Sequence, residues 1–221
     1  MEILDWLFIG TCSAAIFFLV LAWVYFVLVL VNTSKVKKWK QAKPRKKRKR
    51  KRWRRTCRIL EKKKSASIRF FVLFFVIACL GGGTAFYTRY YQATNLGKED
   101  TEALVQGHYL LSNIEEQLNQ IHETDNPKKI QENIYDLAAR LANYGVRTAD
   151  RRLSMEGQKE LNRLYVNMKE LGLNLGSQTF ETLSDQDTLS GYLSDMKKTK
   201  TNQKKVFKYF RINESSLKEN K

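Results

Sequence analysis

The chain has 221 residues, and its 40 Lys and Arg against 22 Asp and Glu give a formal net charge of +18. Nineteen of those bases and a single acid, Glu61, fall between Lys35 and Lys64, so this segment alone carries +18 while the 21 bases and 21 acids elsewhere cancel. With three cysteines, Cys12, Cys57 and Cys79, and none later, the C-terminal part cannot be a disulfide scaffold. The only histidines, His108 and His122, lie far from every cysteine in the chain, which excludes the spacing of a zinc site.

Residues 1–5 contain Glu2 and Asp5 and no base, unlike the basic start of a secretory signal. Trp6 to Val31 is then free of charge, long enough to cross roughly 30 Å of hydrocarbon with some tilt. We read 6–31 as a retained membrane span and 68–91 as a second one. Between them lies the segment 32–67. Because Lys and Arg near span ends stay on the cytoplasmic side, this segment is expected in the cytoplasm and both termini outside it, in a plasma-membrane protein.

Within the second span, Ala78, Gly81, Gly82 and Ala85 place small residues four apart, the spacing of close helix contacts within the chain or between copies of a homo-oligomer. Neither span carries an acid or base at depth, which argues against an ion pathway built by this chain alone.

The basic segment is expected to be extended and solvated, since neighbouring cations repel and little apolar surface offsets chain entropy. Its candidate binding residues are Lys43, Arg45, Lys46, Lys47, Arg48, Lys49, Arg50, Lys51, Arg52, Arg54 and Arg55. Three ligands compete for them: the anionic lipid of the inner leaflet, an acidic partner protein, and nucleic acid. Trp39 and Trp53 flank the cluster as candidate anchors at headgroup level.

From Thr101 onward the pattern is helical. Leu104, Gly107, Leu111, Ile114, Leu118 and Ile121 follow spacings of three and four, the seam of a left-handed helix pair. Asn126 and Pro127 start a second helix carrying Ile130, Ile134, Leu137 and Leu141, which Gly145 ends. A third helix is predicted over Ser154–Leu171, with Gly172 and Gly176 as its stop, and a fourth over Thr179–Met196. Strand signals are scarce. The fold class is therefore all-α: two transmembrane helices in a hairpin around a polybasic loop, then an extracytoplasmic bundle of three or four helices over 92–196.

Residues 92–196 hold 10 bases and 17 acids, whereas 197–221 hold nine bases and two acids. That basic and aromatic tail is expected to dock on the acidic bundle or a partner through Phe207, Tyr209 and Phe210, with Lys197–Lys205 as a flexible tether.

No catalytic constellation, metal set or cofactor loop stands out. His108, Glu115 and His122 share a helix face but are about 10 Å apart per step, too far to hold one metal. We expect a non-enzymatic membrane adaptor whose outer domain binds an envelope protein and whose loop binds anionic lipid or an acidic cytosolic partner. A second reading is a sensor or regulator whose outer bundle binds a ligand or stress cue. A third is a small oligomerising membrane-active protein.

Overall fold

The computed structural model describes residues 3–44, 46–123 and 125–217; Arg45 and the side chains of Lys47 and Arg48 lie outside the described part. Its elements are all helical, with no strand among the described residues: α1 Ile3–Gln41, α2 Lys47–Thr94, α3 Lys98–Asn119, α4 Pro127–Gly145, α5 Met155–Gly176, α6 Phe180–Ser184 and α7 Gln186–Phe210. They divide into two compact units, Met1–Tyr90 and Tyr91–Lys221.

In the first unit, α1 and α2 are both long and apolar enough to cross a membrane. Large apolar side chains such as Trp23, Leu80 and Phe86 stay exposed, at 65%, 66% and 77%. What the helices bury is a seam. On α1 one line of covered positions, Leu4, Phe8, Thr11, Ala15, Phe18, Ala22, Tyr25, Val29, Asn32 and Val36, alternates steps of four and three, with Asp5, Cys12, Leu21 and Thr33 partly covered beside it. On α2 the same rhythm runs through Trp53, Cys57, Leu60, Lys64, Ser67, Phe71, Phe74, Ala78, Gly81, Ala85 and Thr88. A repeat of 3.5 residues keeps one face of a helix turned toward its neighbour along its whole length.

Contacts across the seam run antiparallel. Gly81 lies against Ala15, Phe18 stacks on Phe74 with centroids 6.0 Å apart, Tyr25 meets Phe70 at 5.3 Å, and Asn32 Nδ2 donates to Ser67 Oγ at 3.1 Å. A single amide–hydroxyl pair in an apolar seam favours one register over the slips beside it.

The basic segment is not extended. Both helices continue into it, and among its described residues only 42–44 and Lys46 lie outside helix. Charge repulsion loses here because Lys and Arg are good helix formers, and because each helix, already formed beyond the segment, adds residues without a new nucleation cost.

In the second unit α3, α4, α5 and α7 form a ring, each packed against two neighbours, with α6 bridging α4 and α7. Leu111, Ile114, Leu118, Leu141, Leu161 and Leu164 are fully buried at its centre. Each such side chain contributes roughly 1.5–3 kcal/mol by leaving water.

Asn126 caps α4 through Lys129 N, and Ser154 caps α5 through Gly157 N. Three boundaries differ from the sequence expectation. Gly172 does not end α5, because its missing side chain is what lets α4 approach: a Cβ there would stand 2.6 Å from Ala138 O and Ala142 N. The fourth helix is broken at Asp185, whose carboxylate accepts from Thr188 N at 3.0 Å and starts α7. From there α7 runs on through Lys197–Lys205, so the expected flexible tether is regular helix, ended by Arg211 in the left-handed region at φ 57°.

Candidate functional site

The most distinctive chemistry lies where α1 ends and α2 begins. α1 finishes at Gln41, leaving its last carbonyls without partners inside the helix. Trp53 Nε1 donates to one of them, the carbonyl of Trp39, at 2.8 Å. Lys40 Nζ and Glu61 Oε1 pair at 2.8 Å, so the one acid of the basic segment joins the two helices. The Glu61 partnership raises the Lys40 pKa, and the same hydrogen bond lowers that of Glu61. Arg50 Nε donates to Pro44 O at 3.1 Å, fastening the link to the first turns of α2.

Of the sequence-predicted binding residues, Lys49, Arg50, Lys51, Arg52, Arg54 and Arg55 are exposed along the first turns of α2, and Lys43 and Lys46 are exposed in the link. Arg50, Lys51, Arg54, Arg55 and Arg58 line one open concavity of about 690 Å³, with no acid among the described residues of its wall. Trp39 is 45% exposed, while Trp53 is half-buried and its N–H is engaged by α1. Cys57 is buried in the seam.

The four small residues of the second span separate. Ala78 and Ala85 are each 5% exposed, and a Cβ on Gly81 would stand 3.3 Å from Ala15 Cβ. Gly82 falls one position off the seam and has nothing within 4 Å.

In the second unit Phe207 is 2% exposed and packs on the His108 ring, centroids 5.7 Å apart. The Tyr209 and Ser154 hydroxyls are 2.7 Å apart, and Phe210 is partly buried against the core. His108 Nδ1 lies 3.2 Å from Gln203 Oε1, and Glu115 pairs with Lys200. Among the described residues no three His, Cys, Asp or Glu side chains stand close enough to hold a metal ion.

One buried polar network has no counterpart in the sequence patterns. Asp100, 4% exposed, accepts from Tyr165 Oη at 2.8 Å and from Asp150 N at 3.1 Å. Burial raises its pKa above the ordinary carboxylate value, and burial beside Asp100 raises that of Tyr165. The network ties the α4–α5 link to the start of α3.

A groove of about 550 Å³ between α5 and α7 is lined by polar side chains including Arg163, Asn167, Asn174, Asp195 and Lys198. Both signs of charge occur in it. Comparison with family models, curated proteins and solved structures finds no match for this chain.

Proposed function

We propose that the chain is an integral membrane adaptor. In this reading α1 and α2 form a transmembrane hairpin, the basic ends of the two helices stand in the cytoplasm, and the four-helix bundle of the second unit lies outside, where it binds an envelope protein. The observation that carries the reading is the sorting of side chains along one helix pair. Exposed apolar residues cover its length from Trp6 to Val31 and from Phe70 to Phe86, and all 19 bases of the central segment lie beyond one end of those runs. Exposed apolar surface on such a scale is stable in lipid, and Lys and Arg density beside a span is kept on the cytoplasmic side.

Partner binding is assigned to the outer bundle because its core seams are filled, leaving outward faces and the α5–α7 groove for recognition. No reacting group is needed. Crosslinking in cells followed by affinity capture, comparing the intact chain with one truncated after Gln92, tests the assignment. Envelope proteins captured by the intact chain and absent after truncation support it; unchanged capture defeats it. Orientation is tested with an impermeant maleimide on Lys43→Cys in place of Cys57, which is buried in the seam. Labelling of intact cells at that position would reverse the topology.

A further inference from the structure

The basic segment contains two groups of cations that differ in their distance from the apolar runs. Those runs end at Val31 on α1 and begin at Phe70 on α2. Lys35, Lys37 and Lys38 on one helix and Lys62, Lys63 and Lys64 on the other lie a few residues beyond, roughly 6–12 Å at 1.5 Å per residue. A headgroup layer roughly 5–8 Å deep is within their reach. Arg50, Arg54, Arg55 and Arg58 stand roughly 18–30 Å from the same edge along the same helix. The potential of an anionic leaflet decays over about 8 Å at physiological salt, so it falls to roughly a quarter at Arg58 and to a few per cent at Arg50.

A flexible loop would fold back to the lipid. This one is held away from it. α2 is continuous helix from Lys47 into the apolar run, and Trp53–Trp39 and Lys40–Glu61 fasten its basic stretch to α1. Resting on the membrane topology proposed above, we infer that the distal arm, Lys49–Arg58, binds the phosphate backbone of a nucleic acid.

Charge and surface chemistry both favour that occupant over an acidic protein. The arm has no acid between Lys43 and Leu60, and its cations at i and i+4, such as Arg50 and Arg54 or Lys51 and Arg55, repel one another until a polyanion lies along them. Protein interfaces concentrate their affinity in buried aromatic and apolar anchors. Here Trp53 is already engaged with α1, and Ile59 on α2, 55% exposed, and Trp39 on α1, 45% exposed, are isolated rather than gathered into one apolar patch. Nucleic-acid affinity requires only neutralised phosphates and released counterions.

The test uses the full chain in nanodiscs of zwitterionic phosphatidylcholine and a fluorescent DNA duplex, with anisotropy read from about 50 to 200 mM salt. A distal variant, Arg50→Gln with Arg54→Gln, Arg55→Gln and Arg58→Gln, is compared with a proximal one, Lys35→Gln with Lys37→Gln, Lys62→Gln and Lys63→Gln. The distal variant is expected to flatten the slope of log K against log salt by about 3–4, near 0.9 for each phosphate that is no longer neutralised, and the proximal variant to change it by less than about 1. Equal slopes in the two variants overturn the inference. Displacement of the duplex by polyglutamate at equal charge concentration also overturns it and leaves an acidic protein as the occupant. Duplex binding that persists while Lys43→Cys is labelled on intact cells would reject the topology alone.

Discussion

Trp53 Nε1 donates to the carbonyl oxygen of Trp39 at 2.8 Å, so the second helix supplies the hydrogen bond that the last turn of the first cannot make for itself. Trp53→Phe keeps an aromatic ring and deletes the donor. That substitution should cost about 0.5–1.5 kcal/mol and let the end of α1 fray. Cys57, one turn along α2 and buried against α1, reports the fraying. In a Cys12→Ser, Cys79→Ser background, maleimide labelling of Cys57 should accelerate in Trp53→Phe and more so in Trp53→Ala. Wild-type labelling rates in both would show that the bond does not hold the helix ends together.

Two adjacent glycines in the second apolar run should respond in opposite ways to the same change. A Cβ on Gly81 would stand 3.3 Å from Ala15 Cβ and 3.4 Å from Thr11 O, whereas Gly82 has nothing within 4 Å. Gly81→Leu is therefore expected to part α1 from α2, and Gly82→Leu to leave them together. Disulfide formation between cysteines introduced at Asn32 and Ser67, whose side chains already meet at 3.1 Å, measures the separation. Loss of the crosslink in Gly82→Leu, or its retention in Gly81→Leu, would contradict the seam.

A similar contrast operates in the four-helix unit. At Gly172 an added Cβ would meet backbone atoms of α4 at 2.6 Å, and backbone cannot yield as a side-chain end can. Gly172→Ala should destabilise α4 and α5 by at least about 1–3 kcal/mol. Gly191 lies in α7 with open space around it, so Gly191→Ala should stabilise that helix by about 0.5–1 kcal/mol through a smaller loss of backbone entropy. Hydrogen exchange of α4, α5 and α7 amides in the full chain reads both effects. Equal protection in the two variants would refute the close approach.

Much of this architecture is written in local patterns that the sequence exposes directly. Asn126 with Pro127, and Ser154 ahead of Met155, mark helix starts because the cap chemistry is contained within four residues. The seam of the first unit is harder to see. Its positions pass through Thr11, Asn32, Lys64 and Ser67, which no apolar template collects, and only the run Ala78, Gly81, Ala85 betrays the rhythm. Likewise α7 hides its continuation, because Thr199, Asn202 and Gln203 are buried polar residues at the right spacing inside a lysine-rich stretch. Charge obscures the helical state of Lys47–Lys64: composition announces solvation, and a solvated segment need not be an extended one. Asp100 and Tyr165, 65 residues apart, leave no mark in sequence, since their pairing depends on how α3 and α5 cross.

That pair predicts a pH dependence of known sign. Asp100 is buried, and its pKa in the folded chain is raised above the ordinary 3.8 chiefly by the loss of water. Between the ordinary and the raised value the folded state holds a proton that the unfolded state has released, so stability falls as pH rises through that window and levels off above it. Asn at position 100 imitates the protonated acid, because its carbonyl can accept from Asp150 N–H while its amide donates to the Tyr165 hydroxyl, which then acts as acceptor. Asp100→Asn should therefore remove this decline. Unfolding of both proteins followed across the acid range should give a stability difference, wild type minus variant, that is greatest below about pH 4 and diminishes as Asp100 ionises. A difference independent of pH, or one that grows in favour of wild type as pH rises, would mean that the hydrogen bonds from Tyr165 and Asp150 outweigh the burial of the charge.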